Sequence, residues 1–441
     1  MPNRDDEVLI CMSRDGQKYA WFIFLLAAAF CAYEYILRVK LSPLSHQLLT
    51  EFNCSANAFG LLSSAFFYGY APVQILSGPI IQRFGPRMVL TCALFLCVAA
   101  TLLFAASHDF KILFGLRLLV GVGSGFAFIG AYILIANWFP IRKWAFLYGL
   151  LQFIACLGAM YGQQFLAFLS ENITWRALSV LFGYVGIGLT ILFYFFLRDT
   201  PKNPVNYSKT SSGNDTLLAQ LKTVSLNPRS YPVVLYALFS WGPITISATL
   251  WGPAFLAEKL SFSIQNATYL FSYTWLGIAI GSPCIGYLAN RVNRPKNLML
   301  LCSGAGFIAS LLLLNGHLYS TASYKVILFF LGFSTAAQPI SFVKIQQANP
   351  EHCRGVAVGF NNTAVILSGA FLQPLSSYLI ERSYLLNTAG NLSYHYTLTN
   401  YYNGLVLMPV SIIISFILAM FFIKEKQFSR QPVKHTSTYS Y

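Results

Sequence analysis

Apolar residues in this chain come in long blocks rather than in the alternating or one-face patterns of soluble strands and helices, and polar residues gather between the blocks. A helix needs about 20 apolar residues to cross ~30 Å of hydrocarbon. Twelve stretches meet that requirement. The first six run from Tyr19 to Leu41, Asn57 to Leu76, Met88 to Ala106, Ile112 to Ala136, Phe146 to Phe168 and Ala177 to Leu197. The second six run from Pro232 to Phe255, Ala267 to Ala289, Asn297 to Gly316, Val326 to Ala348, Val358 to Ile380 and Asn403 to Ile423. Between the sets, Arg198 to Tyr231 holds Pro, Asn, Ser, Lys and Gly and is the longest polar stretch. The pattern predicts an all-α membrane protein of twelve transmembrane helices in two six-helix bundles. Its parts are a tail over 1–18, a bundle over 19–197, a linker over 198–231, a bundle over 232–423 and a tail over 424–441.

Composition supports lipid as the solvent. Of 441 residues 56% are hydrophobic and 10% charged, with a mean hydropathy of +0.58, which leaves too little polar surface for a soluble protein. Residues 1–17 carry four acids and no apolar core of a signal peptide, so the first run is expected to be retained. The net charge of +15 is spread in short clusters between the runs, which argues against nucleic acid as a partner. The nine cysteines form no C-x-x-C pair, and the six histidines fall in or near loops and tails. No metal site, disulfide framework or cofactor is expected. An enzyme would need clustered ionisable groups at one bilayer face, and none is visible.

Positive loops resist translocation. Placing both termini in the cytoplasm puts 20 of the 29 Lys and Arg on that side, so this orientation is expected, in a bacterial cell membrane. The halves also repeat. Gly78, Gln82, Arg83, Gly85 and Arg87 lie between runs 2 and 3, and Gly286, Asn290, Arg291, Arg294 and Lys296 lie between runs 8 and 9. The paired glycines and the paired arginines are each 208 positions apart. A small residue here would let two helices approach, and the basic residues would anchor a tight turn. Repeated halves place a substrate site at their interface near the midplane.

These loops resemble the G-x-x-x-D-R-x-G-R-[RK] signature of the major facilitator superfamily, with Gln82 and Asn290 at the acid position and Pro86 at the first basic position of the closing pair. The resemblance implies that runs 1, 4, 7 and 10 line a cavity. Run 4 carries Arg117-Leu-Leu-Val-Gly121, similar to the family's R-x-x-x-G, and an arginine inside an apolar run is a site candidate. Gly121 and Gly125, Gly158 and Gly162, and Gly277 and Gly281 have the spacing of close helix packing.

In run 1, Tyr35 to Ser42 is similar to the Y-x-D-R-x-N-L-S segment of the organic-anion branch, with Leu37 where that branch has its acid. Glu34 lies one turn before Arg38 on the same face, and of the fourteen acids it alone falls within an expected span. A carboxylate placed there is a candidate proton-coupling group, and Arg38 and Arg117 are candidate contacts for a substrate carboxylate. A fixed salt bridge is the structural alternative. Further candidates are Tyr70 and Gln74 in run 2, Trp241 and Thr245 in run 7, Gln338 in run 10 and Asn361 in run 11. Lys344, near the inner end of run 10, reads as a snorkelling lysine.

The expected function is alternating-access transport of a small anionic or zwitterionic solute, coupled to protons, by a monomer in the lipid bilayer. Asn137-Trp138-Phe139-Pro140 and the Tyr33-Glu34-Tyr35 segment also resemble nutrient carriers of intracellular bacteria and lysosomal-type dipeptide carriers. Amino acids and dipeptides are therefore rivals to organic acids, as is a facilitative uniporter of dipeptides or sugars. A non-transporting sensor or a membrane-embedded enzyme is the reading from a different class.

Overall fold

The computed structural model describes residues 14–200, 216–289, 291–292, 294–315, 320–387 and 395–423. Hydrocarbon cannot satisfy a backbone N–H or C=O, so each apolar run closes its own bonds as helix; among the described residues there is no strand. The N-terminal half comprises α1 (Arg14–Val39), α2 (Ser45–Phe52), α3 (Ala56–Phe84), α4 (Pro86–Ala106), α5 (Phe110–Ser124), α6 (Ala127–Trp138), α7 (Ile141–Leu169) and α8 (Trp175–Phe196). A linker helix, α9 (Leu217–Leu226), follows. The C-terminal half comprises α10 (Tyr231–Ile246), a π-helical turn (Ser247–Trp251), α11 (Gly252–Leu260), α12 (Ile264–Phe271), α13 (Tyr273–Ala289), α14 (Pro295–Asn315), α15 (Thr321–Phe333), α16 (Gln338–Ala348), α17 (Arg354–Asn387), α18 (Leu398–Leu405) and α19 (Leu407–Ile417).

Eleven helices are long and apolar enough to cross a membrane among the described residues. The eighth run is the exception, being interrupted at Ser272 between α12 and α13. Several boundaries differ from the expected ones. The first helix begins at Arg14, the seventh span reaches Leu260, and the eleventh reaches Asn387. Glu258 and Glu381 therefore also lie on membrane-length helices, near their ends, and Glu34 is not the only acid on one.

All four runs expected to line a cavity break, as do runs 8 and 12, at Ser272 and Val406. Run 1 stops between α1 and α2 at Lys40–Leu44, where Pro43 supplies no N–H. Run 7 widens into the π-turn, run 4 breaks between α5 and α6, and run 10 breaks between α15 and α16. Shifted by 208 positions, the break in run 1 falls on the π-turn of run 7. Ser42 Oγ donates to Leu250 O at 2.8 Å, and these residues are themselves 208 apart, so the contact sits where the halves' symmetry axis passes.

Helix crossings repeat as well. A Cβ added at Gly69 would lie 2.1 Å from Leu118 O and one at Gly121 2.0 Å from Phe66 O; in the other half Gly277 meets Phe329 O at 2.0 Å and Gly332 meets Thr274 O at 1.9 Å. These are one α3–α5 crossing used again as α13–α15. Gly125 against Val73, Gly158 against Ala32, Gly162 against Ile36 and Gly281 against Ala336 are likewise too close for a side chain, so the expected small-residue packing is present.

The signature loops behave differently. A Cβ at Gly78 or Gly286 would meet nothing within 4 Å, so the close approach expected there is not made. Gly85, at φ +82, is tight instead against Asp199, and the Arg87 backbone N–H donates to Asp199 Oδ1 at 2.6 Å. The acid missing at Gln82 is thus supplied from beyond α8. Gln82 and Arg83 are exposed, Arg291 lies 4.6 Å from the Tyr287 ring, and Asn290 is outside the described residues.

The halves meet on the side away from the linker, here the distal side. There Asn57 N donates to Glu381 Oε2 (2.8 Å), Ala56 N to Tyr396 Oη (2.7 Å) and Gln164 Nε2 to Ser272 Oγ (2.6 Å). On the linker side, positions Gly78, Gly149, Gly286 and Gly355 face open space. The halves are thus closed against each other distally, and on the linker side Asn227 bonds Ala348 O and Asn349.

Candidate functional site

The site grows from the end of α1. Where a helix stops, its last carbonyls lose their partners. Arg117 of α5 takes two of them, donating to Leu37 O at 2.5 Å and Arg38 O at 2.8 Å. Arg117 is fully buried; its two terminal nitrogens hold the break of α1, while its Nε has no hydrogen-bond partner.

Arg38, on that last turn, pairs with Glu34 one turn earlier. Both are buried. Three rings surround the guanidinium: Tyr35 at 4.5 Å, Tyr70 at 5.3 Å and Phe66 at 5.6 Å. Glu34 Oε2 and Arg38 Nε have no hydrogen-bond partner, so the pair carries unused acceptor and donor capacity. A buried pair of this kind is a poor stabiliser, because desolvating both ions offsets most of their attraction, but removing one partner costs about 3–5 kcal/mol.

The Tyr35 ring reaches the other half. It packs on Phe128 at 5.6 Å and on Trp275 of α13 at 5.8 Å, while its hydroxyl accepts from Gln152 Nε2 at 3.1 Å. Trp275 Nε1 donates to Gln163 Oε1 (3.1 Å), and Gln163 Nε2 donates to Ala248 O in the π-turn (3.0 Å). The π-turn thus offers carbonyls to side chains of the opposite half, Ala248 O to Gln163 and Leu250 O to Ser42.

Of the other candidates, Gln74 donates to Gly125 O (2.9 Å) and accepts from Asn362 Nδ2 (2.5 Å), linking α3 to α17 across the halves. Thr245 turns its hydroxyl back to Gly242 O (2.9 Å), and Asn361 donates to Ser341 Oγ (2.9 Å). Trp241 is buried and Gln338 half-buried at the start of α16. Glu34, Arg38, Tyr35 and Tyr70 therefore form one cluster, with Arg117 behind it and the other candidates apart from it. Lys344 is buried rather than reaching for water.

Sequence reasoning missed Lys40, Gln152, Gln163 and Trp275. Only Lys40 left a signal, since it stands where the Y-x-D-R-x-N-L-S segment has asparagine. Among the described residues no three His, Cys, Asp or Glu come together as metal ligands.

Outside the spans, Glu51 of α2 accepts from Trp175 Nε1 and Arg176 Nη2, each at 2.5 Å. Slight burial raises its carboxyl, but these two donors outweigh it and hold the group below its ordinary range.

The family model for the Major Facilitator Superfamily matches residues 20–374. A probable sulfoacetate transporter, SauU, of Cupriavidus necator is 25% identical, over 79% of this chain and 84% of its own. The chloroplastic ascorbate transporter of Arabidopsis thaliana is 24% identical over 82% and 70%, and the hexuronate transporter of Bacillus subtilis 22% identical over 84% and 89%. In fold, the chain is similar to a bacterial homolog of the human lysosomal transporter Spinster in an inward-facing, unoccupied conformation. The TM-score is 0.70 at 16% identity, over 92% of this chain and 96% of the other.

Proposed function

The chain belongs to the Major Facilitator Superfamily, and we propose that it is a proton-linked secondary carrier of a small organic anion, working by alternating access. The observation that carries this reading is Arg38: a guanidinium buried among three rings near the meeting of the halves, with an internal carboxylate as its partner. Its planar fork matches two oxygens of a substrate acid, which would displace Glu34. Glu34 then becomes a buried carboxylate without a counter-ion and takes up a proton, so anion and proton move together. Relatives named for sulfoacetate, ascorbate and hexuronate, all acids, support the same charge class.

In this reading Tyr35 and Tyr70 wall the anion, Arg117 holds the site's backbone, and Trp241, Thr245, Gln338 and Asn361 offer contacts from the opposite half as it closes. Gln74 and the loops around Gly78, Gln82, Arg83, Gly85, Gly286, Asn290 and Arg291 serve the change of facing. The linker side is cytoplasmic, the membrane a bacterial cell membrane and the working unit a monomer. The test is uptake of labelled sulfoacetate, ascorbate and a hexuronate into proteoliposomes under an imposed pH gradient. Accumulation of one of them, abolished by dissipating the gradient, is the expected result. Selective uptake of neutral sugars or dipeptides would replace the anion reading.

A further inference from the structure

Lys40 has no task in the mechanism above. It opens the break after α1 and is 2% exposed. Its Nζ carries three donors, and none has a hydrogen-bond partner among the described residues. The Phe104 ring of α4 covers it at 4.4 Å. Phe104 meets Trp175 edge-on at 5.5 Å, and beyond Trp175 lie Glu51, Arg176 and His108, joined at the distal surface. Two rings thus separate Lys40 from the distal surface. From α5 the group acting on Lys40 is Arg117, of the same sign. On its own helix, Glu34 is engaged by Arg38.

An ammonium with no acceptor, beside a guanidinium, loses more through desolvation and repulsion than one ring face returns. The groups that enclose Lys40 belong to its own half, but the segment it opens is tied across the halves. Ser42, two residues on, makes the Leu250 contact across the halves, so separation of the halves there releases the far end of the non-helical Lys40–Leu44 segment, which is the movement that would carry Lys40 from beneath Phe104.

We propose that Lys40 is a proton-binding site of the carrier, empty while the distal side is closed and filled when it opens. This rests on the alternating-access reading but not on Glu34 or on the identity of the substrate. On opening, the amine lone pair takes a proton from distal water to give –NH3+; on closing, that N–H bond breaks and the proton returns to water. Distal acid therefore favours the open form, by up to tenfold in the open-to-closed ratio per pH unit, the limit for one proton.

Hydrogen–deuterium exchange of the parent, Lys40→Met and Lys40→Arg in lipid nanodiscs tests this, following peptides over 40–52 and 247–260 and correcting for the intrinsic pH dependence of exchange. The parent should lose protection there on acidification. Lys40→Met should stay protected at every pH, and Lys40→Arg, which keeps its charge, should stay deprotected. His108 and Glu51 remain in both variants, so a parental acid response surviving in Lys40→Met belongs to them and overturns the proposal. A parent whose protection ignores pH overturns it as well. If Arg at this position prevents folding, the Met variant decides alone. A parent that opens with acid yet takes up no anion probe would sink the substrate reading and leave Lys40 standing.

Discussion

The two halves share one scaffold and differ in what it carries. The crossings at Gly69 and Gly121 recur at Gly277 and Gly332, and the break after α1 recurs as the π-turn after α10. The N-terminal half places Glu34, Arg38, Lys40 and Arg117 around its break. The equivalent positions of the C-terminal half hold Gly242, Ile246, Ala248 and Leu328. The backbone geometry that repeats is the part that lets helices approach and bend, whereas charge around the break is found in the N-terminal half alone among these equivalent positions. Buried charge is costly wherever it sits, and keeping it away from the facing break leaves the C-terminal half free to meet the site with uncharged groups such as the Trp275 ring and the Ala248 and Leu250 carbonyls.

The comparison is broken most directly at Arg38. Arg38→Ala should lower uptake by about two orders of magnitude or more, because truncating one partner of a buried, hydrogen-bonded charge pair costs about 2–5 kcal/mol of binding, and Arg38→Lys should fail nearly as badly for want of the planar fork. Parental uptake by the lysine variant would reduce Arg38 to a charge anchor. Next in size is Glu34→Gln, which keeps shape but cannot titrate. Accumulation driven by a pH gradient should vanish while exchange between preloaded vesicles survives, and loss of both together would assign Glu34 a binding or structural role.

A third experiment sharpens the shared part. Gly69→Ala and Gly277→Ala each drive a methyl to about the same backbone distance, 2.1 and 2.0 Å. They should destabilise the fold by similar amounts, about 1–3 kcal/mol as for other overpacking changes, and lower the melting temperature accordingly. A large inequality in thermal unfolding would show that the halves do not carry equal packing loads. The smallest effect belongs to Glu51, whose depressed carboxyl contributes stability above the ordinary Glu range that is lost as pH falls through its lowered value. Glu51→Gln should remove that part of the acid dependence of unfolding and leave the rest of the profile alone.

Spans, their order, the long polar linker and the doubled loops are legible in the chain because each is a property of neighbouring residues: hydrophobic length, a polar interruption, a repeated spacing. The Glu34–Arg38 pair is legible for the same reason, one helical turn being local geometry. Arg117 is different. In sequence it is an arginine in an apolar run, as suited to a substrate as to a helix end, and only its approach to Leu37 and Arg38, some 80 residues away, spends its donors on the backbone. Asp199 in the place of a missing loop acid, Trp275 against Tyr35, and Lys40 sealed beneath Phe104 likewise depend on which helices cross. Which side is closed was decided by contacts between the two halves, Ser42 with Leu250, Gln164 with Ser272 and Asn57 with Glu381, and no pattern along one helix encodes the partner it meets on another.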